Sequence, residues 1–132
     1  MDRAAYEADL EPLCRAQQLG VIHFFGLARG FLTGKYRSDA GLGKSPRGAG
    51  VKGYLTPRGH RVLAALDAAA QAHDATLAQV ALAWQIHRPG LTAPIGSATS
   101  TAQWAELAGA ARLVLAPATL AALDAASAER AG

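Results

Sequence analysis

One cysteine, one methionine and a 6% aromatic content are what this 132-residue sequence has least of. The single cysteine, Cys14, excludes an intramolecular disulfide and a cysteine-based zinc site, and by that usage a reducing, cytoplasmic compartment is expected. No uninterrupted apolar run reaches the roughly 18 residues that a membrane span requires. The start, MDRAAYEADLEPL, is charged and amphipathic, which reads against a secretory signal. Charged residues make up 17% against 51% apolar, too apolar a mixture for a disordered chain. The length predicts one domain.

Alanine, glycine and locally concentrated positive charge are what the chain has in quantity. Alanine occurs 32 times, 25 of them after residue 63, which biases the second half to helix. Between Arg29 and Arg61, eight basic residues stand against one acid, Asp39, while the rest of the chain carries five basic and nine acidic residues. The net charge of +3 therefore conceals one cationic segment, which suits an anionic partner. Nine of the 14 glycines lie between Gly26 and Gly59, in the same segment.

Residues 5–18 predict an amphipathic helix with Tyr6, Leu10, Leu13 and Cys14 on its apolar face, stopped by Gly20. Val21 to Phe25 is a short apolar run bounded by glycines and reads as a buried strand. Gly26 to Gly53 reads as a long cationic loop with a helical turn near Phe31, and loops of that length are usually functional. Thr56-Pro57 opens a helix to about Ala72, with Val62, Leu63 and Leu66 on its apolar face. Thr76 and Gln79 have capping-box spacing at the start of a helix that ends before Pro89-Gly90. Leu91 to Ile95 is the second buried-strand candidate. Ser100 and Gln103 open a helix to about Ala111, and Pro117 opens a last one to about Ser127. Strands separated by helices predict parallel pairing through right-handed crossovers and the α/β class. So few parallel strands imply part of a larger sheet.

Three stretches carry a resemblance. GLARGFLTGKYRS (Gly26 to Ser38), SPRG (Ser45 to Gly48) and ATLAQVALAWQIHRPGLTAPIGSATSTAQWAEL (Ala75 to Leu107), in that order, resemble the aldo-keto reductase family over essentially the whole chain. The resemblance implies a (β/α)8 barrel that reduces carbonyl compounds with NADPH, of which residues 1–132 are the C-terminal half. A full barrel takes roughly 250 residues. The family's catalytic Asp, Tyr, Lys and His belong to the first half, so no catalytic residue is expected in this chain, and no metal ligand. The resemblance makes Gly26–Gly53 the cofactor loop and Leu91–Ala111 the strand-helix unit for phosphate and adenine. By matching, Phe24, Phe25, Gly26, Leu27, Ala28 and Arg29 wrap the pyrophosphate and nicotinamide of NADP. Lys35 and Arg47 match basic positions along the dinucleotide channel, and Ser97, Thr99, Gln103 and Glu106 match positions for the 2′-phosphate and adenine.

The sequence departs from the family pattern at several of these positions. Phe24 stands where Tyr or Trp is common, so stacking survives without a hydroxyl; Phe25-Gly26 replaces a common Ser-Pro; Ser97 replaces a frequent Gly and Leu107 a frequent Asn. Plainer readings stay open beside the functional ones. Gln103 is also the third residue of a capping box with Ser100. Lys35 and Arg47 read equally as solvated loop charges, and Phe24 and Phe25 as core aromatics. His23, His60, His73 and His87 have no metal-ligand spacing and read as structural or surface residues. Lys35 and Tyr36 are rejected as an acid-base pair, because adjacent residues in an extended segment point opposite ways. Cys14 reads as a helix-face thiol.

The expected partners are NADP(H) and, in a complete enzyme, a small carbonyl substrate, with no nucleic acid and no membrane. Exposed strand edges imply self-association or pairing with an N-terminal half. The expected function is an oxidoreductase fragment carrying the cofactor elements, inactive as a single chain. The alternatives are a non-catalytic dinucleotide- or anion-binding module and an inactive gene remnant. Nucleic-acid contact is the weakest reading, since the basic residues are spread among glycines with few aromatics and no groove-reading helix.

Overall fold

The computed structural model describes residues 3–44 and 48–129. The chain is mixed α/β, mostly helical, with one two-stranded parallel sheet. Its N-terminal helix starts as a π-helical stretch, Tyr6–Leu10, in which the Glu11 N–H reaches back to the Tyr6 carbonyl, and continues as α1, Glu11–Ala16. Pro12 sits in the first turn of α1 and has no N–H to offer, which accounts for a change of register there. The expected apolar face is covered only in part: Tyr6 and Cys14 are half-buried, whereas Leu10 is 55% and Leu13 54% exposed.

Strands β1 (Ile22–His23) and β2 (Ala93–Pro94) pair in parallel, Ile22 opposite Ala93 and His23 opposite Pro94. The predicted parallel pairing holds, with flanking bonds from the Thr92 N–H to the Val21 carbonyl (2.8 Å) and from the Ile95 N–H to the His23 carbonyl (3.3 Å). The predicted lengths and burial do not hold. Both strands are two residues long, and Ile22 is 62% exposed. Pro94 cannot donate to a ladder, and Phe25 at φ +61° turns the chain out of extended geometry.

The glycine-rich segment is also a correction. In place of a loop with one helical turn it forms three 3₁₀ stretches, Ala28–Thr33, Asp39–Lys44 and Gly48–Tyr54. It delivers Phe31, Leu32, Tyr36 and Val51 into the core. There they meet Val62, Leu63 and Leu66 of α2 (Pro57–Ala72) and Val80 and Trp84 of α3 (Leu77–Ile86).

The helices after residue 56 start where their caps predict. The Thr56 hydroxyl accepts from the Gly59 N–H at 3.0 Å, and Pro57 follows it. Thr76 and Gln79 form a complete reciprocal capping box at α3. At α4 (Thr101–Gly109) the Ser100 hydroxyl accepts from the Gln103 N–H. The Gln103 side chain does not complete the box: its Oε1 accepts from the Thr99 N–H and hydroxyl, both at 2.9 Å. A 3₁₀ turn, Ala110–Arg112, leads on to α5, Pro117–Ser127, which packs on α2. Among the described residues no single helix is long and apolar enough to cross a membrane.

Arg3 and Arg88 tie the N-terminal helix to α3 and α5. Arg3 donates to Glu7 (2.6 Å), Ser127 Oγ (3.2 Å) and the Asp124 carbonyl (3.0 Å). Arg88 pairs with Glu7 and, at 2.7 Å, with Asp124, which also accepts from Trp84 Nε1 at 3.1 Å.

Candidate functional site

At the C-terminal ends of the two strands the chain opens into a groove of about 900 Å³. One wall is the turn after β1, which contributes Phe24, Phe25, Gly26, Leu27 and Arg29 and continues to Lys35. The other is the segment after β2 with the start of α4, which contributes Ser97, Thr99, Gln103 and Glu106. Ten residues expected to contact a cofactor, from stretches some 70 positions apart in sequence, thus line one space. Ala28 is not brought to it. It is buried, 4% exposed, and lines a different cavity. Arg47 lies outside the described residues.

The turn that builds the first wall is held in a costly backbone geometry. Phe25, Ala28 and Arg29 have φ of +61°, +48° and +58°, and Gly30 follows at +90°. Positive φ at non-glycine residues costs about 1–2 kcal/mol each, so the surrounding packing must impose it. Gly26 shows part of that packing. A Cβ there would meet Gln85 Oε1 at 3.0 Å and the Ile95 carbonyl at 3.2 Å, so any larger residue would push β2 or Gln85 back by a few tenths of an ångström.

Phe24 and Phe25 are not core aromatics. They are 68% and 50% exposed, with ring centroids 4.4 Å apart and planes tilted by 35°, and they present an apolar surface to the groove. The Arg29 guanidinium lies over the Phe25 ring, 4.7 Å from its centroid. Lys35 and Tyr36 separate as expected into an exposed and a fully buried residue, yet the Lys35 ammonium folds back to 4.9 Å from the Tyr36 centroid. Neither Arg29 nor Lys35 has a carboxylate partner among the described residues, whereas Arg37 is bound by Asp67 and Arg58 by Glu129. Two cations of the segment, Arg29 and Lys35, thus stand at the groove. On the opposite side Gln103 and Glu106 bring the start of α4, the positive end of its dipole, to the groove.

Sequence reasoning missed Gly30, Thr33, Ala78, Ile95 and Gly96, which line the groove as well. Thr33 and Gly30 fall inside the motif stretch from Gly26 to Ser38, which was a usable signal; Ala78 sits in a helix and carried none. Gln85 was also missed. It is 7% exposed and donates to the Gly26 carbonyl (2.8 Å) and the Ala81 carbonyl (2.7 Å), which anchors the turn. Within an apolar helical run a lone Gln gives no sign of this.

The four histidines behave as structural or surface residues. His60 meets the Arg37 carbonyl, His73 the Thr119 hydroxyl, His87 the Ala83 carbonyl and His23 the Gln85 side chain. Among the described residues no group of His, Cys, Asp and Glu is arranged to hold a metal. A parallel strand pair with a groove at its carboxyl ends is the usual ligand position in α/β proteins. The family model described as aldo/keto reductase family matches residues 3–128, and the chain belongs to that family.

Proposed function

We propose that this chain carries the NADP(H)-binding elements of an oxidoreductase that reduces carbonyl compounds, with the catalytic Asp, Tyr, Lys and His supplied from outside residues 1–132, as the C-terminal portion of a (β/α)8 barrel. The observation that carries this reading is the groove itself, where the platform of Phe24 and Phe25, the unpaired cations Arg29 and Lys35 and the start of α4 share one space. That set of groups suits a phosphate-rich dinucleotide. An exposed aromatic face accepts a planar ring, a guanidinium and an ammonium neutralise phosphate, and the positive end of the α4 dipole favours negative charge.

Bound NADPH supplies the hydride. The chain's own part is to hold and orient: Phe24 stacks on the nicotinamide, Arg29 and Lys35 take phosphate oxygens, and Ser97, Thr99, Gln103 and Glu106 surround the adenosine end. Gln103 serves this end indirectly, because its Oε1 is already committed to Thr99 and fixes the entry to α4. On this reading the general acid comes from outside residues 1–132, so reduction by the chain alone lacks a group worth about 10² to 10⁴ in rate.

Calorimetric titration of NADP and NAD against the wild type, Lys35→Ala and Arg29→Ala tests this. Preference for NADP, weakened about fivefold to tenfold by either substitution and reduced by salt, is the expected result. Equal affinity for both dinucleotides, unmoved by either change, refutes it. NADP binding together with carbonyl turnover by the purified chain removes the claim that catalysis needs groups from elsewhere.

A further inference from the structure

Phe24 and Phe25 are large apolar residues held out in solvent. Burial would stabilise both rings, so their position at the groove has to be imposed. Room to withdraw is at hand. A second cavity, of about 330 Å³, lies beside the turn, between the N-terminal helix, β1 and α3. Both rings border it as well as the groove, and Leu32, Trp84 and Leu91 offer them apolar contacts there.

One side chain grips the turn on both sides of this pair. Gln85 of α3 is buried, and its amide nitrogen donates to the Gly26 carbonyl, just after the two rings, at 2.8 Å. The same nitrogen donates at 2.7 Å to the carbonyl of Ala81, one turn back, which pins the side chain along α3. Both donors of the amide are thereby used, and its oxygen is turned to His23, just before the two rings, at 2.6 Å. An amide oxygen only accepts, so His23 donates from Nε2 and the contact fixes its tautomer. The sheet holds His23 in turn: it pairs with Pro94, and its carbonyl accepts from the Ile95 N–H at 3.3 Å.

Residues 23 and 26 are thus clamped to one amide, and the two residues between them bow outwards. The φ of +61° at Phe25 is the backbone cost of that bow. Neither His23 nor Gln85 lines the groove, so neither would touch a ligand there. None of the bonds made by Gln85 reaches the opposite wall, where Gln103 and Thr99 are bonded to each other.

We infer that Gln85 and His23 are positioning residues for the nicotinamide side of the groove, a hydrogen-bonded clamp that keeps Phe24 and Phe25 out of the neighbouring cavity and at the ligand. The inference rests on the dinucleotide reading for its ligand and on the hydrogen bonds alone for the clamp.

NMR on the isotopically labelled full chain tests both halves. Gln85→Leu keeps the bulk and removes every bond of the clamp. Hydrogen exchange at the Ala28 and Gly30 amides, bonded within the turn at 2.7 and 2.8 Å, should then quicken about tenfold. Nicotinamide mononucleotide should bind about fivefold to tenfold more weakly, whereas adenosine 2′,5′-bisphosphate, which needs only the opposite wall, should stay within about twofold. A variant that is merely loosened would lose both ligands alike. His23→Leu should quicken the same amides and weaken nicotinamide mononucleotide about threefold, and add nothing on top of Gln85→Leu, because it acts through that amide. It also serves alone should Gln85→Leu not fold. Unchanged exchange, equal loss of the two ligands, or independent effects of the two substitutions overturns the inference. If the wild type binds neither ligand, the dinucleotide reading falls, and the clamp stands or falls on the exchange rates.

Discussion

Phe31, Tyr36 and Val51 come from a glycine-punctuated segment whose longest regular stretch is seven residues, and all three are fully buried. Leu13 and Trp104 come from regular helices, α1 and α4, and are 54% and 68% exposed. Regularity of the backbone and burial of the side chain are thus uncoupled in this molecule. The irregular segment is central because it crosses between β1 and α2 and is roofed by α3, whereas the outward faces of α1 and α4 meet nothing among the described residues. The teaching concerns glycine. Several glycines of this segment mark close packing or positive φ, as Gly26, Gly30 and Gly59 illustrate, while Gly43 and Gly53 face open space.

The comparison breaks most directly at Phe31. Phe31→Ala should destabilise the chain by about 3–5 kcal/mol, as for any buried aromatic, while Trp104→Ala should stay within about 0.5 kcal/mol. Urea unfolding followed by circular dichroism measures both, and equal small effects would return the segment to the status of a solvated loop.

Gly59 joins the two regions. In an open helix, Gly→Ala stabilises by roughly 0.5–1 kcal/mol. At Gly59 the added Cβ would fall 1.9 Å from the Tyr54 carbonyl and 3.1 Å from the Phe31 ring, so the sign reverses. A loss of about 1–3 kcal/mol is expected in Gly59→Ala, read from the thermal midpoint. A stabilised variant would show that the 3₁₀ stretch gives way freely.

Thr76→Ala removes the hydroxyl half of the α3 capping box and should cost about 1 kcal/mol, with Thr76→Ser restoring most of it. Because α3 covers the glycine-rich segment, amide exchange in Phe31 and Leu32 should quicken along with that in α3. Quickening in α3 alone would show the two to be independent.

The smallest effect ties the segment to α2 through Arg37 and Asp67. Two bonds of 2.7 and 2.8 Å to Arg37 hold the Asp67 carboxyl below its ordinary value, chiefly through the hydrogen bonds themselves. A carboxylate lowered in the folded state contributes stability above its unfolded pKa, and that contribution is lost as pH falls through the folded one. The window therefore lies at and below roughly pH 4. Both side chains are more than 40% exposed, so solvent screening limits the contribution to a few tenths of a kcal/mol, on the order expected for surface pairs. Asp67→Asn should lower stability by that amount at neutral pH and match the wild type below the window, which flattens the acid limb of the stability profile. An unaltered acid limb would mean that the pair contributes nothing.

Much of the fold was legible because its signals are local. A cap acts on an N–H three residues on, so Thr56, Thr76 and Ser100 announced α2, α3 and α4, and Pro117 announced α5. The parallel pairing of β1 with β2 followed from helices lying between two apolar runs. The family motifs from Gly26 to Ser38 and from Ala75 to Leu107 named residues that meet at the groove. Those readings depend on residues within a turn of one another, or on an order of elements, and neither needs a tertiary partner.

What lay beyond the sequence depends on partners far along the chain. Ile22 and Phe24 are as apolar as Val62 and Leu63, and only the absence of a covering layer among the described residues leaves them exposed. Gln103 has the spacing of a capping box, but the approach of Thr99 takes its side chain. Ala28 lies between two residues that face the groove, Leu27 and Arg29, yet it is buried on the other side of the turn. Hydrogen bonds within a turn are written in neighbouring residues, whereas burial and side-chain direction at a bend are set by whatever packs against it, and that is decided only when the chain has closed on itself.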